Sequence, residues 1–320
     1  MTFLIDEEWA GRTILAFVNG KLKISSSALA ALKRDEMGIT VDGRHVTVRH
    51  VLEAGQLLVL NERDSFTNVN DTIAPVDIKL DIIFENEDII VINKPANMPT
   101  HPSHNHHYDT VANGIAHIYE QRGEPLVFRP MGRLDKNTSG ILVLSKHAIS
   151  AAFLSYARRN KLVKKGYIAI LCGKITSDGS LKTIDNYMKR TQDSVIMRCV
   201  TDKDDEHAMH ALTHWRLLYS DESISVVEAF PQTGRTHQLR VHFASIGHPI
   251  LGDDIYGTQS EHIDRHALHA AHLSLPMPYT DNQVTFTADI PSDMKAAFLQ
   301  ITGKNIESIL HLKSKETYDI

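Results

Sequence analysis

The order of the short apolar segments constrains the fold most, because strand-like and helix-like patterns follow one another without a regular repeat. Runs of β-branched and aliphatic residues, typical of buried strands, occur at 82–84, 89–92, 141–144, 167–171 and 225–230. Apolar residues at helical spacing mark 147–160 and 236–246. Since these segments do not form regular βαβ units, the pattern favours an α+β fold over a doubly wound parallel sheet.

The first 61 residues resemble a separate small module. The serines 25–27 precede an Ala- and Leu-rich stretch, which predicts a short capped helix. Alternating apolar residues on both sides of Asp42-Gly43 predict two strands around a turn, and 57–60 predicts another strand. The polar segment 62–77 lacks periodicity and is typical of a linker. A chain of 320 residues suits two domains, and we expect a small domain at 1–61, a linker at 62–77 and a larger domain at 78–320.

Composition and missing motifs disfavour several classes of protein. The two cysteines fit neither a disulfide framework nor a CxxC pair. The N-terminus does not resemble a signal peptide, and the sequence has no apolar run long enough to span a membrane. We therefore expect a cytoplasmic protein. Phosphate-binding glycine motifs and GxSxG are absent from the sequence, which disfavours nucleotide cofactors, NTPases and α/β hydrolases.

The charge is unevenly distributed. The net charge of −5 argues mildly against a nucleic-acid partner. Residues 11–50, however, carry seven Lys and Arg against three acids, and residues 158–165 hold five cations and no acid. Such clusters can bind phosphates, or they can be ordinary solvated surface.

A loop ahead of a buried strand carries the first candidate site. The segment 132–140 reads GRLDKNTSG and places Asp135 beside Arg133 and small hydroxyl residues. Loops fixed by a rigid scaffold often carry catalytic groups. The alternative is a turn aspartate that accepts local backbone hydrogen bonds.

The second candidate segment, 231–242, leaves a strand and opens a helix. Gly234 permits a tight turn, Thr236 can cap the helix, and Gly247 ends it. Arg240 lies about 100° around the helix from Leu239, at the edge of the buried stripe. A cation there needs a partner if it is desolvated, so the alternatives are a site residue and a structural ion pair.

Several segments, in the same order along the chain, resemble motifs of RluA-like pseudouridine synthases. GRLDKNTSGILVLSK is similar to the family's catalytic motif, Lys165-Gly166-Tyr167 with Ala169 to its Lys-x-Tyr-x-Ala motif, and GRTHQLRVHFASIGHPILGDDIYG to its third motif. The early DIIVINKPANMP and the late segment 268–276 resemble its first strand and a late strand. One departure is Gly132, where the family usually has His. Residues 11–60 more weakly resemble a small ribosomal-type RNA-binding domain, the S-four-like domain.

The resemblance implies a mixed, mostly antiparallel sheet flanked by helices, and cofactor-free isomerisation of uridine in RNA. The base leaves its stack, the bond from N1 to the sugar breaks, and the sugar rejoins the base at carbon 5. Asp135 is then the catalytic carboxylate, acting either as a nucleophile or in an elimination route. Arg240 pairs with Asp135, and Tyr167 stacks on the uracil and is a candidate for proton transfer. Roles in RNA binding and base flipping fall to Arg133, Lys165, Arg235 and His237, and Leu239 and Ile141 line the pocket.

The histidines offer a rival interpretation. His262, His266, His269 and His272 follow a spacing that would place several of them on one helix face as metal ligands. The resemblance instead implies no metal and no cofactor. We expect a monomer that binds RNA, with large-subunit ribosomal RNA as the target and transfer RNA as the runner-up. A non-catalytic RNA-binding or ribosome-assembly factor and, more remotely, a metal-dependent hydrolase are the other classes.

Overall fold

The computed structural model describes residues 1–24, 26–61, 73–124, 127–280 and 282–313. Ser25 and residues 62–72, which form most of the predicted linker, lie outside this range. None of the helices in the described part of the chain has both the length and the apolar character needed to cross a membrane. The described elements are β1 (Thr2–Leu4), α1 (Ile14–Gly20), α2 (Ser26–Leu32), β2 (Ile39–Val41), β3 (Arg44–His45), β4 (Leu57–Leu60), β5 (Asp81–Glu85), β6 (Ile89–Lys94), α3 (Val111–Arg122), β7 (Arg129–Pro130), β8 (Ser139–Ser145), α4 (Ala148–Arg159), β9 (Lys164–Cys172), β10 (Lys182–Arg190), β11 (Arg198–Thr201), β12 (Met209–Ser220), β13 (Ile224–Pro231), α5 (Gln238–Ser245), β14 (Leu268–Pro276), β15 (Gln283–Thr287), α6 (Ser292–Thr302) and α7 (Ile306–Lys313).

A large mixed sheet forms the body of the protein. Its strand order is β11-β10-β12-β13-β9-β14-β8-β6-β5, with β15 paired to β14 and β7 paired to β8. Adjacent strands run antiparallel, except for a short parallel contact between β8 and β14. The α+β class and the mostly antiparallel sheet predicted above are confirmed, and the apolar runs 82–84 and 89–92 form the hairpin of β5 and β6.

The segment 1–61 has a sheet and a core of its own. Its strands pair in the order β1-β4-β2-β3, and Phe17 and Leu58 are buried between that sheet and its helices. The second strand of the predicted hairpin is shorter than expected, because only Arg44–His45 pairs with β2. The same core also takes in Ile149 of α4, which is fully buried. The small unit therefore packs directly on the helix that follows β8.

The centre of the large sheet explains how two distant chain segments meet. β14 lies between β8 and β9, so it joins the strand that follows the Asp135 loop to the strand that carries Tyr167. Gly140 at the start of β8 has φ +108, and a Cβ there would lie 2.2 Å from the carbonyl oxygen of Ala270 on β14. A side chain at 140 would separate these strands, so glycine is required for the contact.

One helix begins later than the sequence predicts. The expected helix 236–246 is α5, which starts at Gln238, and its N-cap is His237 rather than Thr236. His237 adopts a left-handed conformation with φ 58 and makes no capping bond through its side chain. The His237 ring instead lies near Tyr256 and Asp135.

Candidate active site

Asp135 lies on the loop 131–138 between β7 and β8. The loop closes through a hydrogen bond from the amide of Thr138 to the carbonyl of Asp135, at 3.0 Å. The Asp135 side chain is 31% exposed, and its Oδ2 lies 3.9 Å from His237 Nε2. Within the described residues, no hydrogen bond reaches the carboxylate oxygens of Asp135. This carboxylate is thus fixed in place through its backbone and remains open to a ligand.

A buried lysine supports the backbone of this loop. Lys94, at the end of β6, is fully buried, and its Nζ donates to the carbonyl of Lys136 at 3.0 Å. It also donates to two carbonyls of the turn after β6, each at 2.8 Å. Burial lowers the pKa of Lys94 to about 7; Arg265 acts in the same direction, and Asp135 opposes it. Three carbonyl acceptors compensate for the desolvation of the amine.

Residues in and just before β14 make hydrogen bonds to the end of the loop and the start of β8. The hydrogen bonds are from Arg265 Nη1 to Asn137 O at 3.0 Å, between His266 Nε2 and Thr138 Oγ1 at 2.9 Å, and between His269 Nδ1 and Ser139 Oγ at 2.9 Å. The rival interpretation, a helix face of histidines, does not hold, because His269 and His272 belong to β14, and His262 and His266 precede it in a loop. The described residues contain no group of three or more His, Cys, Asp or Glu that could hold a metal ion.

Tyr167 and Lys165 both lie on β9, two positions apart, so they extend from the same face of the strand. The Tyr167 side chain is buried, and burial, aided by Asp135, raises the pKa of its phenol. Burial lowers the pKa of Lys165 to about 8, and Arg158 adds to this effect. Tyr167 is therefore a neutral hydroxyl beside the Asp135 loop, and Lys165 is a cation that is easily neutralised.

A narrow cleft with a volume of ≈ 10 Å³ lies beside these residues, and its walls include Arg133, Leu134, Ile141, Lys165 and Tyr167. Four of the residues predicted from the sequence meet here. Leu239 does not line the cleft; it is buried in the main core, in the cluster that includes Tyr167 and Leu134.

Gly132 lies next to two residues of the cleft, Met131 and Arg133, at the position where the related motif usually has His. Its φ of +94 suits glycine, and a Cβ there would lie 3.8 Å from both Arg158 Nη1 and Lys165 Nζ. Space is available, but any other residue would strain the backbone. Glycine therefore allows the backbone to turn close to the cationic groups of Arg158 and Lys165.

The predicted ion pair between Arg240 and Asp135 is wrong. Arg240 is buried and donates through Nε and Nη2 to the two carboxylate oxygens of Asp253, each at 2.7 Å. Burial favours the protonated form of Asp253, but the hydrogen bonds and charge of Arg240 outweigh burial and lower the pKa of Asp253. Between Arg240 and Asp135 the direct interaction is an attraction of charges without a hydrogen bond.

Two of the predicted RNA-binding residues have structural contacts. Arg235 donates through Nε to the carbonyl of His210 at 2.9 Å. His237 Nδ1 lies 2.9 Å from the hydroxyl of Tyr256, which also accepts a hydrogen bond from the amide of Arg198 at 2.9 Å. Tyr256 in turn packs under the guanidinium of Arg240, 5.1 Å from the ring centroid.

Sequence reasoning missed Lys94, Asp253 and Tyr256 as site residues. Each belongs to a segment that was noted for its resemblance: Lys94 to the Asn-Lys-Pro turn, and Asp253 and Tyr256 to GDDIYG. Polar residues inside apolar surroundings in those segments were the available signal, since a buried charge needs a partner.

Comparison with known proteins places this arrangement in a family. The family model described as RNA pseudouridylate synthase matches residues 88–245, which include Asp135, Tyr167 and Arg240. An RNA pseudouridine synthase of Bacillus subtilis, YjbO, is 36% identical over 286 residues, covering 89% of this chain and 97% of its own length. Ribosomal large subunit pseudouridine synthase D of Zymomonas mobilis is 36% identical over 248 residues, covering 72% of this chain and 76% of its own.

Among solved structures, human RNA Pseudouridylate Synthase Domain Containing 1 is similar, with a TM-score of 0.55 and 27% sequence identity. The match covers 68% of this chain and 87% of the human chain. The family model, the relatives and the solved structure all point to pseudouridine synthases. The chain therefore belongs to the RNA pseudouridine synthase family, in the RluA-like group, the isomerases that convert uridine in RNA to pseudouridine.

Proposed function

We propose that this enzyme modifies specific uridines of large-subunit ribosomal RNA and that Asp135 is its catalytic carboxylate. The assignment rests on one observation: hydrogen bonds hold the backbone of the loop 131–138, while the carboxylate of Asp135 stays accessible. Lys94 and Arg265 bind the carbonyls of the two residues that follow Asp135, while the carboxylate is 31% exposed beside a buried tyrosine. A preorganised reacting group needs this combination of fixed backbone and accessible charge.

The remaining side chains suit the steps of the isomerisation. The C1′–N1 bond breaks, the uracil turns while it is held, and the C1′–C5 bond forms; C5 loses a proton and N1 gains one. Asp135 acts on the sugar or the base at the first step, in either the nucleophilic or the elimination route. Tyr167, whose raised pKa keeps the phenol protonated, stacks on the base and can transfer a proton.

The cations beside the cleft are assigned to the RNA. Arg133 is exposed at the cleft, where its planar guanidinium can fill the space that the flipped base leaves. Lys165 lines the same cleft, and Arg235 lies ahead of α5. His237 was assigned to RNA contact from the sequence; its position between Asp135 and Tyr256 favours a role toward Asp135.

Asp135→Asn tests the assignment directly. The variant keeps the size of the side chain and removes its charge, so pseudouridine formation should fall by roughly a thousandfold or more, as on loss of a reacting group. RNA binding should change by about 1–2 kcal/mol at most. Asp185→Asn is the matched control, because Asp185 is a 57% exposed aspartate on β10 that pairs with His210. A folded Asp135→Asn enzyme that works near the parent rate at saturating RNA would refute the proposal.

The choice of ribosomal RNA is supported by relatives named for the large ribosomal subunit in Zymomonas mobilis, Nitrosomonas europaea and Escherichia coli. Mapping pseudouridines in cells with and without this protein tests it. Loss of a pseudouridine from large-subunit RNA is expected. Loss only from transfer RNA would identify the runner-up substrate, and no change in any RNA would favour a binding or assembly factor.

We also propose that residues 1–61 act as an S-four-like RNA-binding domain that adds affinity and not chemistry. This is supported by the separate sheet and core of the unit and by the excess of cations at 11–50. Monomeric state, cytoplasmic location and independence from cofactors stay predictions.

A further inference from the structure

Both nitrogens of the His237 ring have a neighbouring oxygen atom. The ring lies between two oxygen atoms: Tyr256 Oη, 2.9 Å from Nδ1, and Asp135 Oδ2, 3.9 Å from Nε2. The backbone of His237 is left-handed, with φ 58. Residues other than glycine adopt this conformation rarely, and it persists where surrounding contacts stabilise it. The contacts with Tyr256 and Asp135 are those that the left-handed turn makes possible.

The hydrogen positions follow from the partners. The amide of Arg198 can only donate, so Tyr256 Oη accepts at that contact, which is 2.9 Å long. The hydroxyl hydrogen of Tyr256 then has one acceptor among the described residues, namely His237 Nδ1. If Nδ1 carried the ring proton instead, the phenol hydrogen would have no partner there, which is costly for a partly buried hydroxyl. Nδ1 is therefore the acceptor and Nε2 carries the hydrogen.

The charges around His237 agree with a neutral ring. Burial lowers the pKa of His237; Arg240 and Arg198 lower it further, and Asp135 and Asp253 oppose them. Burial also raises the pKa of Tyr256, so its phenol keeps the hydrogen that it donates. At neutral pH the ring thus presents an uncharged Nε2–H group toward the carboxylate.

Tyr256 is itself firmly held. Asp253 Oδ1 accepts the amide hydrogens of Ile255 and Tyr256, both at 3.0 Å. The guanidinium of Arg240, fixed by the same Asp253, covers the Tyr256 ring. The buried pair of Arg240 and Asp253 therefore orients the tyrosine that orients the histidine.

We propose that Tyr256 is a positioning residue that sets the tautomer of His237, so that the Nε2–H group of His237 steadies the carboxylate of Asp135 during the reaction. The inference rests on the proposed role of Asp135. At 3.9 Å the contact is too long for a hydrogen bond in the free protein, and it closes when uridine enters, as catalytic hydrogen bonds do on substrate binding.

The direct test is the tautomer itself. The full-length protein labelled with ¹⁵N-histidine should show the Nε2–H tautomer for His237 at neutral pH, with signals assigned by their loss in His237→Asn. The Nδ1–H tautomer, or a charged ring, would overturn the proposal. This measurement needs no turnover, so it is independent of the Asp135→Asn assay that decides the proposed function.

The kinetic test uses Tyr256→Phe, which keeps the ring over which Arg240 lies and removes the hydroxyl. We expect kcat to fall about tenfold, on the scale of one uncharged hydrogen bond, with KM for RNA unchanged. Because Nδ1 is then free to bind a proton, the acid limb of the kcat profile should move to higher pH. Tyr187→Phe on β10, whose ring packs against His210 outside the site, should leave that limb in place.

A double variant separates positioning from a purely structural effect. Asparagine tolerates the left-handed conformation at 237 and cannot undergo the tautomer change. If Tyr256 acts through His237, Tyr256→Phe should have no further effect on kcat in the His237→Asn protein. A tenfold loss in both backgrounds, or an acid limb that does not move, would show that Tyr256 only stabilises the turn.

Discussion

Two loops of this enzyme each contain an aspartate, and the two carboxylates differ in burial and in hydrogen bonding. In the turn 253–256, Asp253 is fully buried and accepts two bonds from Arg240 and two from backbone amides. In the loop 131–138, the side chain of Asp135 is 31% exposed, and the neighbouring cation, Lys94, binds carbonyl groups and not the carboxylate. A carboxylate whose lone pairs are all occupied stabilises a fold, whereas one left open can react.

The two aspartates should differ most in their contribution to the free energy of unfolding. Asp253→Ala leaves Arg240 buried without its partner, which should lower the free energy of unfolding by roughly 3–5 kcal/mol. Asp135→Ala removes a partly exposed group and should change it by less than about 1 kcal/mol. Urea denaturation of both proteins measures this. Equal losses would remove the distinction between a structural and a reacting aspartate.

Arg240→Lys should give the next largest effect. Lysine keeps the charge but cannot donate two parallel hydrogen bonds to Asp253, and the loss should be roughly 1.5–3 kcal/mol, the scale of a hydrogen bond to a charged group. Catalysis should fall less than in Asp135→Asn, because the described contacts of Arg240 are with Asp253 and Tyr256 and not with Asp135. The two effects are measured by denaturation and by a product assay at saturating RNA. If Arg240→Lys matched Asp135→Asn in activity while remaining stable, Arg240 would itself take part in the reaction.

The pH dependence of stability sharpens the same contrast. The folded-state pKa of Asp253 is lowered, because the bonds from Arg240 outweigh burial. A lowered pKa contributes stability that is fully present above the unfolded value, near 3.9, and that is lost as pH falls toward the folded value. The stability advantage of the parent over Asp253→Asn should therefore be constant near neutral pH and shrink below about pH 4. An advantage that is unchanged in acid would mean that Asp253 does not titrate as described.

The smallest effect concerns exposed cations. Arg158, Arg159 and Lys161 lie on the surface at the end of α4, unlike the buried Arg240. Replacing all three with Gln should leave the unfolding free energy within about 0.5 kcal/mol. If they contact RNA, the slope of log affinity against log salt should become shallower by about 2, since each phosphate contact contributes 0.7–0.9. An unchanged slope would identify the cluster as ordinary solvated surface.

The sequence predicted those parts of the site that lie within one motif. The loop with Asp135, the buried strand after it and Tyr167 on β9 were all located from local patterns. Apolar runs and turn residues report directly on local structure, so the α+β class and the strands around the site follow from them.

The sequence could not predict which carboxylate pairs with Arg240, because the pairing depends on the direction in which the Arg240 side chain leaves α5. Asp253 lies 13 residues from Arg240 in the chain and reaches it only because the chain turns back after α5. The left-handed His237 delays the start of α5 by two residues relative to the prediction, which alters what the helix presents. The rival interpretation of the histidines at 262–272 fails for a related reason: their spacing fits a helix, but the later part of that segment pairs with β9 as β14, the late strand that the family resemblance implied.

The central position of β14 has a consequence for synthesis of the protein. The strand after Asp135 and the strand with Tyr167 do not pair with each other; each pairs with β14, which begins only at Leu268. A ribosome adds roughly 5–20 residues per second and domains fold as their chain emerges. A nascent chain that ends before residue 268 thus holds Asp135 and Tyr167 without the strand that lies between β8 and β9. We therefore expect the proposed site to be complete only late in translation, and chains interrupted before β14 to be inactive toward RNA.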